Sequence, residues 1–141
     1  MAMAREHPRL ASITVADGMS SPAETLSPDT SLREAVYRFH GGKPGYPVVD
    51  ESGRLQGYCG RAELFEALRG LPPLETRIRD FMRKDPPVIS EDQSLIDASV
   101  TFLREEIEVL PVVSSDGCRR TVGVLSQLDV MIRAVESLSK D

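Results

Sequence analysis

Two short stretches carry side chains whose types and spacing could do chemistry. Ser126-Gln-Leu-Asp129 sets a hydroxyl and a carboxylate three residues apart at the expected start of a helix, and Gly60-Arg-Ala-Glu63 occupies the corresponding place earlier in the chain. A serine followed at the third position by an acid is a capping box, in which each side chain satisfies a backbone N–H of the first helical turn. The same pair could instead face a ligand, because a helix start presents unpaired N–H groups and the positive end of the helix dipole. The four residues alone leave both readings open. In the earlier stretch glycine offers no hydroxyl, and glutamate carries its carboxylate one methylene farther out, so a site there is expected to be degenerate.

No other constellation points to catalysis. Cys59 and Cys118 belong to no CxxC pair, and His7 and His40 show no zinc-ligand spacing, so reduced, buried thiols are expected. His40 ends an amphipathic helix, where it suits the dipole better than it suits the role of a base. A nucleophile elbow, a Walker loop and a dinucleotide fingerprint are all missing, and no enzymatic activity is expected. A formal charge of −5 argues against nucleic acid as a partner, since displacing counterions from phosphates needs a dense basic surface. Arg119, Arg120, Arg83, Lys84 and Arg133 give only local capacity for phosphate, and such charges usually serve solubility. No apolar run approaches the ~20 residues of a membrane span, and the N-terminus lacks the apolar core of a signal peptide; a cytoplasmic location and no membrane insertion are expected. Met1 and Met3 offer two starts.

The elements that must position Ser126 and Asp129 occur twice. Asp17-Gly-Met19 is echoed by Asp80-Phe-Met82, and Ser27-Pro-Asp-Thr-Ser-Leu32 by Ser90-Glu-Asp-Gln-Ser-Leu95. Pro47-Val-Val49 recurs as Pro111-Val-Val113, and Gly57 and Glu63 recur as Gly123 and Asp129. The added residues fall where turns tolerate length at little entropic cost. Each copy reads as a short strand (around Leu26 or Ile89), an amphipathic helix capped at Ser31 or Ser94, a hairpin and a closing helix. Leu32, Ala35, Val36 and Phe39 form the apolar stripe of one first helix; Leu95, Ala98, Phe102 and Leu103 approximate it in the other. In the closing helices Leu64, Phe65 and Leu68, and Leu128, Met131 and Ile132, are expected on the buried side. Leu71-Pro-Pro-Leu74 separates the copies, because consecutive prolines cannot continue a helix. These signals divide the chain into a tail (1–14), a first repeat (15–70), a linker (71–77) and a second repeat with a C-terminal helix (78–141).

Asp-x-Met, a serine-led helix, a Pro-Val-Val strand, a glycine strand and then Ser-x-x-Asp, in this order and twice, resemble the CBS domain, which usually occurs in tandem as a Bateman module. The resemblance runs from about Val15 to Ala134. It implies an α/β (α+β) fold of two βαββα repeats related by a pseudo-twofold axis. It further implies a regulatory module that binds AMP, ADP, ATP or S-adenosylmethionine between the repeats and needs no cofactor. Ser126 and Asp129 would then hold a ribose, a role that fits a carboxylate able to accept charge-assisted hydrogen bonds from a diol. Val88, Ile89, Val109, Leu110 and Pro111 would wall the adenine. Such modules commonly stack into homodimers through their helices. A dimerisation scaffold with a vestigial cleft, or the cytoplasmic regulatory tail of a channel or transporter, is the alternative.

Overall fold

A computed structural model describes residues 8–139, and the readings of Met1, Met3 and His7 lie outside them. The first copy contains helix α3 (Leu32–Arg38), strands β1 (Gly45–Val49) and β2 (Leu55–Gly60), and helix α4 (Arg61–Arg69). The second contains β3 (Ile89–Ser90), α5 (Leu95–Arg104), β4 (Val109–Val113), β5 (Thr121–Ser126) and α6 (Gln127–Ser139). Two short helices, α1 (Pro8–Ser12) and α2 (Val15–Gly18), precede them.

Local signals place these elements. The Ser31 hydroxyl accepts from Glu34 N–H at 3.1 Å, and the Ser94 hydroxyl from Asp97 N–H at 3.1 Å, which starts the two first helices where the capping pattern predicts. Each hairpin turn is organised by an aspartate. Asp50 Oδ1 accepts from Ser52 N–H, the Ser52 hydroxyl and Arg54 N–H, while Asp116 Oδ1 accepts from the Ser114 hydroxyl and Cys118 N–H. These bonds hold both carboxyls below the usual carboxylate range, through Arg54 N–H first for Asp50 and the Ser114 hydroxyl first for Asp116. Both hairpins are antiparallel with a register shift at equivalent places, Val48/Val49 and Val112/Val113. In each, the leading strand joins in parallel: Leu26 beside Val48, and β3 beside β4.

The copies exchange their opening segments. Thr14 bridges to Ser94 of the second copy, and its counterpart Arg77 bridges to Ser31 of the first. Ser20 trades two backbone bonds with Val124 (2.9 and 3.0 Å), and Arg83 trades two with Tyr58 (2.8 and 2.9 Å). Val15 accordingly sits in the second core with Leu95, Leu110, Val112 and Leu125, while Ile78 sits in the first with Leu26, Leu32, Val48 and Cys59. Leu10 and Ile13, in the stretch expected as a tail, pack against that second core. The close approach needs glycine. A Cβ on Gly123 would lie 2.6 Å from Met19 Sδ and 2.8 Å from the Ser20 carbonyl oxygen; one on Gly57 would lie 2.7 Å from Met82 Sδ and 2.8 Å from the Arg83 carbonyl oxygen.

An approximate diad relates the copies. Arg54 bridges to its own counterpart Arg120, flanked by Leu55 N–H donating to Arg119 O (3.0 Å) and Thr121 N–H donating to Gly53 O (2.9 Å). The same contact read in both directions is the signature of a twofold relation.

The closing helices depart from expectation. Leu64 and Val130 are buried, but Phe65 is 71% exposed and Leu128 61%, and Leu68, Met131 and Ile132 are also on the surface. Among the first helices, Phe102 is buried whereas Val36 and Leu103 are exposed. The periodicity marks an apolar stripe correctly, but within this chain only one edge of the stripe is covered.

Candidate functional site

The end of β5 and the first turn of α6 border a cavity of about 230 Å³. Its lining includes Val109, Val124, Ser126 and Asp129 from the second copy, Gly45 and Tyr46 from β1, and Ser20, Pro22 and Glu24 from the exchanged opening segment. The volume lies below the roughly 300–1,000 Å³ typical of small-molecule sites.

Ser126 and Asp129 form the reciprocal box. Ser126 N–H donates to Asp129 Oδ2 at 2.9 Å, and Asp129 N–H donates to the Ser126 hydroxyl oxygen at 3.0 Å. Both side chains are half-buried and line the cavity, so capping and ligand contact are compatible. A carboxylate offers about four lone-pair directions and one is used here, while the serine hydroxyl keeps its own proton to donate. Tyr46 is nearly buried on the same wall, held by its hydroxyl donating to Arg38 O at 2.6 Å and by Phe39 edge-on at 5.1 Å.

The diad-related cleft is different. It measures about 80 Å³ and includes Pro44, Tyr58, Gly60, Glu63, Arg83 and Glu108. Gly60 N–H donates to Glu63 Oε1 at 2.7 Å, so the glutamate caps α4 as the aspartate caps α6, without a hydroxyl beside it. Tyr58, the counterpart of Val124, fills the space: its phenol lies where any side chain at Gly45 would have to stand. Burial pushes the Tyr58 phenol well above its usual range and the neighbouring Cys59 thiol up to about 12, so both are neutral. Cys59 is buried as expected, whereas Cys118 is exposed in the second hairpin turn.

The family model for the CBS domain matches residues 11–70 and again residues 78–136. The chain belongs to the CBS-domain family. The CBS-pair protein CBSX2 from Arabidopsis thaliana is 26% identical, with a TM-score of 0.77 over 92% of this chain and 98% of that one, and has also been solved in complex with AMP. The CBS domain pair of protein MJ0100, solved with 5′-methylthioadenosine and S-adenosyl-L-methionine, is 25% identical, with a TM-score of 0.75 over 88% and 97% of the two chains. A putative acetoin utilization protein, AcuB, from Vibrio cholerae shares the fold at 23% identity and a TM-score of 0.79 over 90% and 93%. No curated protein matches the chain in sequence.

Within this CBS pair the structure brings together Ser126, Asp129 and Val109 of the residues expected at the site. Ile89, Leu110 and Pro111 are buried in the second copy's sheet, and Val88 stands outside the cavity lining. The reason is the exchange: the opening segment that borders the Ser126–Asp129 cavity is residues 20–24, carried over from the first copy. Sequence reasoning missed Ser20, Pro22, Glu24, Lys43, Tyr46 and Val124. Of the basic residues weighed earlier, Arg83 borders the smaller cleft and Arg133 donates to Asp17 O at 3.1 Å. Among the described residues no helix is long and apolar enough to cross a membrane, and no group of His, Cys, Asp and Glu could hold a metal ion.

Proposed function

We propose that this CBS pair is a non-catalytic sensor that takes one adenosyl ligand per chain into the Ser126–Asp129 cavity, with Asp129 accepting the ribose hydroxyls. The observation that carries the reading is a half-buried carboxylate beside a hydroxyl on the wall of a cavity, matched across the diad by a cleft that Tyr58 occupies. AMP in CBSX2 and the adenosyl compounds in MJ0100 give the ligand class. Binding at a seam between two copies is how such a module acts as a sensor, because a ligand touching both favours the arrangement it fits.

A thermal-unfolding panel of AMP, ADP, ATP, S-adenosylmethionine and 5′-methylthioadenosine tests the reading. At about 100 times its dissociation constant the true ligand stabilises by about 2.7 kcal/mol. Titration calorimetry is expected to return one site per chain; two sites of similar affinity would mean that Tyr58 does not close the second cleft, and a flat melting temperature across the panel would favour the scaffold reading.

A second copy of the chain is the partner proposed for the bare helical faces. Phe65 and Leu68 on α4, and Leu128, Met131, Ile132, Val135 and Leu138 on α6, are all exposed, and apolar side chains clustered on one helix face mark an interface. Light scattering is expected to give a dimer, and the Phe65→Asp/Met131→Asp double variant a folded monomer. A wild-type monomer at tens of micromolar would dismiss the dimer.

A further inference from the structure

Three charged side chains line the Ser126–Asp129 cavity: Asp129, Glu24 and Lys43. Lys43 Nζ donates to Glu24 Oε1 at 2.7 Å. That bond, and the charge behind it, hold the Glu24 carboxyl below and the Lys43 ammonium above their ordinary values, so both are ionised at neutral pH. The neighbouring guanidiniums are committed elsewhere. Arg38 donates to Thr25 O and lies over the Tyr46 ring, and Arg133 is held by Asp17 O and by Glu136. The lining thus carries two carboxylates against one ammonium, and that ammonium is already paired.

We infer that the site discriminates among adenosyl ligands by the charge of the 5′ substituent, preferring a neutral thioether or a cationic sulfonium to a phosphate, with Glu24 as the selecting residue. The inference rests on the reading above that an adenosyl group occupies this cavity. A 5′-phosphate brings nearly two negative charges into a lining that is already net negative. Its one cationic partner, Lys43, must be shared with Glu24 or taken from it, and the displaced carboxylate stays on the same wall. A sulfonium meets the carboxylates favourably, and a thioether is indifferent to them. Lys43 and Glu24 are about half exposed (51% and 57%), so solvent and salt soften the discrimination without removing it.

Isothermal titration of the full chain with S-adenosylmethionine, 5′-methylthioadenosine and AMP, for wild type and Glu24→Gln, tests this. Wild type is expected to bind AMP about tenfold more weakly than 5′-methylthioadenosine at low ionic strength. Glu24→Gln releases Lys43 to the phosphate, and the AMP affinity is expected to rise about tenfold relative to that of methylthioadenosine. The exposure of Glu24 keeps folding out of the result. AMP binding as tightly as the thioether in wild type, or an AMP-to-thioether ratio unmoved by Glu24→Gln, overturns charge selection and leaves the adenosyl reading standing. Binding of none of the three overturns both.

Discussion

Replacing Asp129 with alanine is expected to weaken adenosyl binding by about a hundredfold or more. Two hydrogen bonds to an ionised carboxylate contribute about 1.5–3 kcal/mol each, and about 1.4 kcal/mol corresponds to a factor of ten in affinity. The same side chain caps α6, so Asp129→Ala is also expected to cost about 1 kcal/mol of stability. Asp129→Asn separates the two roles. Its amide oxygen can still accept from Ser126 N–H, restoring most of the cap, but it brings no charge to a ribose diol. The expected pattern is stability near wild type with binding still impaired, measured by calorimetric titration beside thermal unfolding. Wild-type affinity in both variants would reduce Asp129 to a helix cap.

Gly123→Ala is expected to destabilise the chain by about 2–3 kcal/mol, in the range of an overpacked core position. The new methyl would stand 2.8 Å from the Ser20 carbonyl oxygen, a backbone atom bonded to Val124 and unable to swing away as a side chain would. Relief requires the 19–24 segment to lift, and Ser20, Pro22 and Glu24 on it border the Ser126–Asp129 cavity, so adenosyl affinity should fall as well. Gly57→Ala is the diad-related control. It crowds Arg83 O at the same distance, with a similar expected loss of stability, but the segment it lifts borders the cleft that Tyr58 fills, and affinity should persist. Urea midpoints and titrations of both variants check the pair; equal losses of affinity would show that the 19–24 segment has no special part in the site.

Much of this architecture is legible in the sequence because its local chemistry is repeated. Ser94 with Asp97 and Ser126 with Asp129 form the reciprocal boxes their spacing predicts. The doubled Pro-Val-Val and glycine strands pair as antiparallel hairpins. What stayed hidden is which copy each segment joins. Met19 recurs as Met82 and Gly57 as Gly123, yet nothing in either recurrence says that Met19 meets Gly123 and Met82 meets Gly57. An antiparallel bridge across the diad, between segments far apart in sequence, leaves no local signal, and so Val88 and Ile89 stood in for Ser20–Glu24 as the wall of the cavity. The faces of α4 and α6 were misjudged for a related reason. An apolar stripe says that a helix is to be covered, not that its own chain does the covering. Tyr58 escaped notice because an aromatic residue in a strand reads as ordinary core; only its phenol lying over Gly45 reveals that it fills a cleft.

The covalent joining of the copies gives the two clefts separate fates. Identical single-repeat chains paired about a true axis would have to carry the same residues in both recesses, so a phenol that closed one would close the other. Here Tyr58 and Val124 are encoded independently. One recess has been narrowed by a phenol while its twin stays open, so the two sides of the axis can be altered one at a time.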